Sequence, residues 1–216
     1  MQQSNILNAS KSDNYVSENK IFILGTFASN TCNELIGNLT DMVMELQPCP
    51  EYKSGTKLQS PYDIDTSKTP VIDVFINSPG GDGRILDSII ALLSIAKSRG
   101  AIIRTTVLSR ASSCGSLLAI IGTPGFRIMY SHAYHFVHFG NHNLHATQES
   151  EIEAAAQHIK ETTNQKNNLY LTHTNLSSKD LKKLQSNESG FLSADQCLAK
   201  GLCDWVINEV GAIRKR

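Results

Sequence analysis

The chain has 216 residues, 40% of them hydrophobic, which is enough for one sizeable core and one domain. Twenty Lys and Arg balance twenty Asp and Glu, so the formal charge is zero and neither a nucleic-acid stripe nor a polybasic membrane patch is expected. Five cysteines form an odd set without CxxC spacing, which predicts no disulfide framework and no metal site, and no apolar run reaches the ~20 residues of a membrane span.

Residues 1–19 are polar, lack the apolar stretch of a signal peptide, and read as a flexible segment. Lys20 to Gly25 is a short apolar run stopped by glycine, the pattern of a buried strand. From Asn33 to Gln47, apolar residues recur at intervals of three and four, which predicts a helix with one core face. Residues 48–69, with Pro48, Pro50, Gly55 and Pro61, read as a long irregular loop, an insertion expected near the outer surface. Val71 to Ile76 is a second strand running into Asn77-Ser78-Pro79-Gly80-Gly81. Arg84 to Lys97 is apolar enough to predict a fully buried helix. Ala101 to Leu108 predicts a third strand, and after a Ser-rich turn Cys114 to Ile121 predicts a second apolar helix. Phe126–Tyr130 and Tyr134–His138 are short strand candidates. Thr147 to Tyr170 is a long polar helix with Ile152, Ala155, Ala156, Ile159 and Leu169 on its apolar side. Ser193–Lys200 and Cys203–Val210 predict a final helix and strand, and residues 211–216 read as a frayed basic tail. Alternating strands and helices with Gly-rich connections predict an α/β fold with a mainly parallel sheet across residues 20–210.

Three features carry chemistry. Ser113 lies at a strand-to-helix turn, where a serine is exposed beside free backbone N–H groups that can stabilise an oxyanion. A helix N-cap serine explains the same local sequence. Gly80-Gly81 forms a second turn at a strand end, where the missing side chains let backbone approach a ligand. Both turns fall on the sheet edge where α/β sites lie. His138 ends a strand within a region crowded by His132, His135, His142 and His145, whose spacing does not turn them to one side as a metal site requires.

The stretch from Ile76 to Val210 resembles the Clp protease proteolytic subunit family. The resemblance rests on Asn77-Ser78-Pro79-Gly80-Gly81, Ser113-Cys114-Gly115, Phe136-Val137-His138, Phe191-Leu192-Ser193-Ala194 and Gly201-Leu202-Cys203-Asp204. The interval of 25 residues from Ser113 to His138 also fits. The resemblance implies a ClpP/crotonase-like spiral of β-α units with a long handle helix at Thr147–Tyr170. It implies Ser113 as nucleophile, His138 as general base, and the N–H groups of Gly80 and Cys114 as oxyanion hole. Gly81, Asp82 and Gly83 would pair with an extended substrate as an added strand. No cofactor is implied. The partners implied are unfolded polypeptide substrates, an AAA+ Clp ATPase, and further subunits in stacked heptameric rings, in a cytoplasmic or otherwise reducing compartment.

The pattern departs from the family at the third triad member. The family's aspartate position is occupied by Ser189, with Glu188 and Asn187 the neighbouring alternatives. Glu188 supplies a carboxylate, and Asn187 can orient a ring without charge. Loss of the orienting carboxylate costs about 10⁴ in rate in trypsin-like peptidases. The segment also lacks the Asp-Arg pair that helps dock the family's two rings. Two other readings are a catalytically silent ring subunit, and a crotonase-type acyl-CoA enzyme sharing the fold.

Overall fold

The computed structural model describes residues 13–50, 52, 58–138, 149–186 and 190–216. Its strands are β1 (Asn14–Ser17), β2 (Lys20–Ile23), β3 (Val71–Ser78), β4 (Ile102–Ser112), β5 (Arg127–Tyr130), β6 (Tyr134–Phe136), β7 (Phe191–Ser193), β8 (Trp205–Ile207) and β9 (Ile213–Lys215). The helices are α1 (Ser29–Glu45), α2 (Gly83–Ser98), α3 (Cys114–Ile120), α4 (Glu149–His173), α5 (Ser178–Ser186) and α6 (Ala194–Lys200). The α/β expectation holds, with β2, β3, β4, β5 and β8 parallel in one sheet. Strands such as Val71-Ile72-Asp73-Val74 are apolar almost throughout because helices and loops cover both faces of such a sheet.

The long strand β4 is what positions the site. Its middle, Thr105–Val107, pairs with β5, whereas its end, Arg110–Ser112, pairs with β6. Between Ile76 and Ser78 the register with β3 slips, so that Ser78 faces Ala111 rather than the residue two beyond Val107. Bulges of this kind bend a strand and re-aim its end. The fork leaves the end of β4 between the glycine turn that follows β3 and the strand β6 that leads to His138.

Helix α1 buries Leu35, Leu39 and Val43 from the expected core face, and also Cys32, which precedes the expected start of the helix. Helix α2 differs from its expectation. It buries Ile85, Leu86, Ile89, Leu93 and Ala96 on one face, while Ile95 is 40% exposed. It is therefore an amphipathic helix with an unusually apolar outer face. Helix α4 leaves the body, with Ile152 exposed and Tyr170 fully buried near its other end.

Three elements had no hydrophobic signal in the sequence. Strand β1 falls within the segment read as flexible, yet pairs antiparallel with β2. Its anchor is polar: buried Asn14 donates to Thr26 O at 2.8 Å and accepts from Gly25 N–H at 3.0 Å. Helix α5 is too polar to be marked by periodicity, with only Leu181 buried. The C-terminal residues are not a frayed tail. Strand β9 pairs with β8, Arg216 N–H donates to Asp204 O at 3.0 Å, and the Lys215 ammonium lies 5.0 Å from the Trp205 ring centre. Three consecutive basic residues read as a solvated end because their pairing partner lies on another strand, β8.

The 48–69 segment contains no helix or strand among its described residues. It does supply packing. Leu58 joins Val71, Ile102, Phe126, Ile128, Trp205 and Ile207 in a second apolar cluster, and Tyr52 meets the Phe126 ring edge-on at 5.3 Å.

Candidate active site

Strand β4 ends at Ser112 and α3 starts at Cys114, so the chain must reverse at Ser113. Ser113 has φ 52° and ψ −117°, in the left-handed half of φ space that a side chain rarely adopts. Such a conformation costs about 1–3 kcal/mol and persists only when its surroundings enforce it. Here the Ser113 N–H donates to Phe136 O at 2.9 Å, and Ser113 O accepts from Leu117 N–H at 3.1 Å. The Ser113 side chain makes no capping bond to α3, so the N-cap explanation of this serine does not apply. A Cβ placed on Gly80 would lie 2.6 Å from Ser113 Cβ and 3.2 Å from its Oγ. The serine turn and the glycine turn are thus in direct contact, and only glycine fits at position 80.

The hydrogen bonds of the glycine turn decide which N–H groups face the serine. Gly80 N–H donates to Ser78 Oγ at 3.1 Å, and Ser78 in turn donates to Gly25 O at 2.6 Å. On the other side, Gly80 O accepts from Phe27 N–H at 2.9 Å and Asp82 N–H donates to Phe27 O at 2.8 Å. These bonds flank Gly81 in a parallel bridge to Phe27, so Gly81 turns its own N–H and C=O away from Phe27. Its carbonyl accepts from the Cys114 thiol at 3.1 Å, which places that edge against the start of α3. The sequence pointed to Gly80 as the oxyanion donor. Gly80 N–H is instead occupied by Ser78, and Gly81 N–H has no acceptor among the described residues.

Asp82 and Gly83 have other duties. The Asp82 carboxylate caps α2 through Arg84 N–H at 2.9 Å and pairs with the Arg84 guanidinium at 2.8 Å, which holds its carboxyl below the usual range. Gly83 opens α2. Asp82 is also extended, but its N–H donates to Phe27 O and its carbonyl accepts from Leu86 N–H at 3.3 Å. Beside it lies a groove of about 310 Å³ between the start of α2 and α4, bounded by Asp82, Arg84, Asp87, His158, Thr162 and Lys166.

His138 follows β6. Its neighbour Val137 donates to Gly190 O at 2.8 Å, and the Phe136 ring packs on the imidazole at 4.7 Å. Partial burial pushes the His138 pKa below its ordinary 6.5. Among the described residues no hydrogen bond joins its ring to Ser113 Oγ, and catalytic hydrogen bonds are often long before substrate binds. Asn187, Glu188 and Ser189 lie outside the described residues. No group of three or more His, Cys, Asp or Glu is arranged to hold a metal ion among the described residues.

A serine–histidine contact away from Ser113 was not evident from the sequence. Ser116 Oγ and His135 Nδ1 lie 2.8 Å apart, and Tyr170 donates its hydroxyl proton to Ser116 Oγ at 2.8 Å. Both Ser116 and His135 are completely buried, so this serine cannot reach a substrate. The histidine had registered only as one of a crowded set, because its partners come from α3 and α4. Asp204, from the Gly-Leu-x-Asp motif, is also structural: it holds the Arg127 guanidinium through bonds of 2.9 and 2.6 Å.

Fold and site together define an α/β protein in which a strained serine at a helix start faces a double-glycine turn. The chain belongs to the Clp protease family, whose model matches residues 64–210. It is 30% identical over 139 residues to the ATP-dependent Clp protease proteolytic subunit 4 of Streptomyces avermitilis, a match covering 63% of this chain and 59% of that relative. No described helix is long and apolar enough to cross a membrane.

Proposed function

We propose that the chain is a serine peptidase subunit that hydrolyses unfolded polypeptides, with Ser113 as nucleophile and His138 as general base. The observation that carries this reading is the strained, uncapped Ser113 pressed against Gly80. A serine hydroxyl is a weak nucleophile near neutral pH and needs a base to take its proton as it attacks the carbonyl carbon. His138 suits that task because burial keeps its ring neutral, and it stands two residues beyond the carbonyl that anchors Ser113. The N–H groups of Cys114 and Gly81 serve as the oxyanion donors, a revision of the Gly80 assignment. Cys114 is the first residue of α3, where amides lack intrahelical acceptors. The substrate lies as an added strand beside Gly81, and Asp82 and Gly83 shape the adjoining groove.

The relative from Streptomyces is by name a proteolytic subunit of an ATP-dependent protease. The same assembly logic is proposed for this chain: stacked heptameric rings, alone or with paralogous subunits, fed by an AAA+ Clp ATPase. The exposed face of α4 is available for contacts between rings.

Ser189 at the family's aspartate position favours one second reading, a ring subunit of weak or no activity. A fluorophosphonate probe separates the two. Labelling of Ser113 in the wild type that disappears in Ser113→Ala and His138→Ala supports the peptidase. An assembled ring that takes up no label supports the silent subunit.

A further inference from the structure

We propose that the buried chain Tyr170–Ser116–His135 is a positioning device that sets the nucleophile and the base from the handle helix α4. The proposal rests on the peptidase reading of Ser113 and His138. Its three members come from three elements: Tyr170 from α4, Ser116 from α3 and His135 from β6. Ser116 lies three residues after Ser113, and His135 three residues before His138. The 2.8 Å contact between Ser116 Oγ and His135 Nδ1 therefore ties the nucleophile's helix to the base's strand from beneath. The 2.8 Å bond from Tyr170 fixes the position of α4 against both.

Tyr170 donates to Ser116 Oγ, which keeps its own proton and a second lone pair for the contact with His135 Nδ1, whose direction is set by the imidazole tautomer. In either tautomer the ring's Nε2 is a completely buried atom with no hydrogen-bond partner among the described residues. A buried orphan of this kind is costly and is not retained by packing alone. The arrangement holds only when all three elements are in register. If α4 slides along its axis, the Tyr170 hydroxyl and Ser116 both lose partners in a dry interior, which favours discrete positions over a continuum. Strand register carries the same setting to the reactive groups, since Ala111 pairs with His135 and Ser113 N–H donates to Phe136 O.

The test is Tyr170→Phe, which removes one oxygen and keeps the ring. Turnover of a fluorogenic peptide is measured per active site, with sites counted by fluorophosphonate labelling of Ser113. A positioning role predicts kcat per labelled site lowered about tenfold with KM within about twofold, since small misplacements of reacting groups cost rate rather than binding. Ser116→Ala is expected to lower kcat similarly, and the double variant to be no worse than either single one. A merely structural role predicts the opposite division: fewer labelled sites and a lower Tm, with kcat per labelled site unchanged. That result in both single variants overturns the proposal while leaving the peptidase reading intact. A wild type that assembles without labelling overturns both.

Discussion

The backbone N–H of Ser113 donates to the carbonyl of Phe136 at 2.9 Å, and Phe136 stands two residues before His138. The proposed nucleophile and base are therefore linked by main chain, with no hydrogen bond between their side chains among the described residues. The next main-chain bond along β6, Val137 N–H to Gly190 O at 2.8 Å, brings the start of β7 to the base. The sequence immediately before Gly190 is Asn187-Glu188-Ser189. If Glu188 orients the imidazole, Glu188→Gln lowers kcat/KM by about 10²–10⁴, within the range for loss of a triad carboxylate, while Asn187→Ala has little effect. Ser189→Asp, which restores a carboxylate at the family position, is expected to raise kcat/KM. Steady-state kinetics on folded variants check all three, and a flat response throughout identifies a dyad.

The acid limb of activity reports on His138. Its pKa lies below 6.5 because burial disfavours the imidazolium. The base acts in its neutral form, so kcat/KM rises with pH through this pKa, and a lowered pKa moves the limb to lower pH. Burial does not respond to ionic strength as a neighbouring charge would. The expected result is a midpoint under 6.5 that stays in place when salt is added. A midpoint above 6.5 that falls with salt would instead point to a facing carboxylate.

Gly80 is predicted to be intolerant of any side chain. Its φ is 100°, and a Cβ would meet Ser113 Cβ at 2.6 Å and Ser112 O at 2.9 Å, both in rigid surroundings. Gly80→Ala should abolish fluorophosphonate labelling by displacing the serine. It should also lower stability by about 1–3 kcal/mol from backbone strain, read from a denaturant titration. Gly37, whose Cβ would meet nothing within 4 Å, is the control, and Gly37→Ala should leave labelling unchanged.

Asp204 illustrates how a motif residue can be purely architectural. Its carboxylate accepts from Gly125 N–H at 2.7 Å and grips the Arg127 guanidinium, whose side chain is 5% exposed. Removing one partner leaves a buried charge uncompensated, which costs about 3–5 kcal/mol. Asp204→Asn is expected to lower Tm sharply while the residual folded fraction keeps normal kcat. A variant of unchanged Tm would show that Arg127 finds another partner.

The parts of the fold that were legible in the sequence are those where one element carries its own signal. The stripe Leu35, Leu39 and Val43 repeats within α1, and Asn77 to Gly81 announces its turn by residue type alone. What was missed depends on partners distant in the chain. Strand β9 needs β8, Asn14 needs Thr26 and Gly25, and His135 needs Ser116 and Tyr170. The same limit applies to the glycine turn and its proposed oxyanion donor. Choosing between Gly80 and Gly81 requires knowing that Ser78 Oγ already holds the Gly80 N–H and that Phe27 flanks the next residue.

His135 also sets an acid limit on the folded state. It is fully buried, and desolvation, aided by the Arg127 charge, pushes its pKa down to about 3 from an ordinary 6.5. Between those values the unfolded chain binds a proton that the folded chain refuses. Stability from this group is therefore complete above pH 6.5 and lost progressively as pH falls toward about 3. The slope is about 1.4 kcal/mol per pH unit within that window. His135→Leu removes the titration, so its stability should fall less steeply across the same window even if the variant is weaker near neutral pH. Urea midpoints at a series of pH values give both slopes directly. Parallel lines for wild type and variant would show that groups other than His135 govern unfolding in acid.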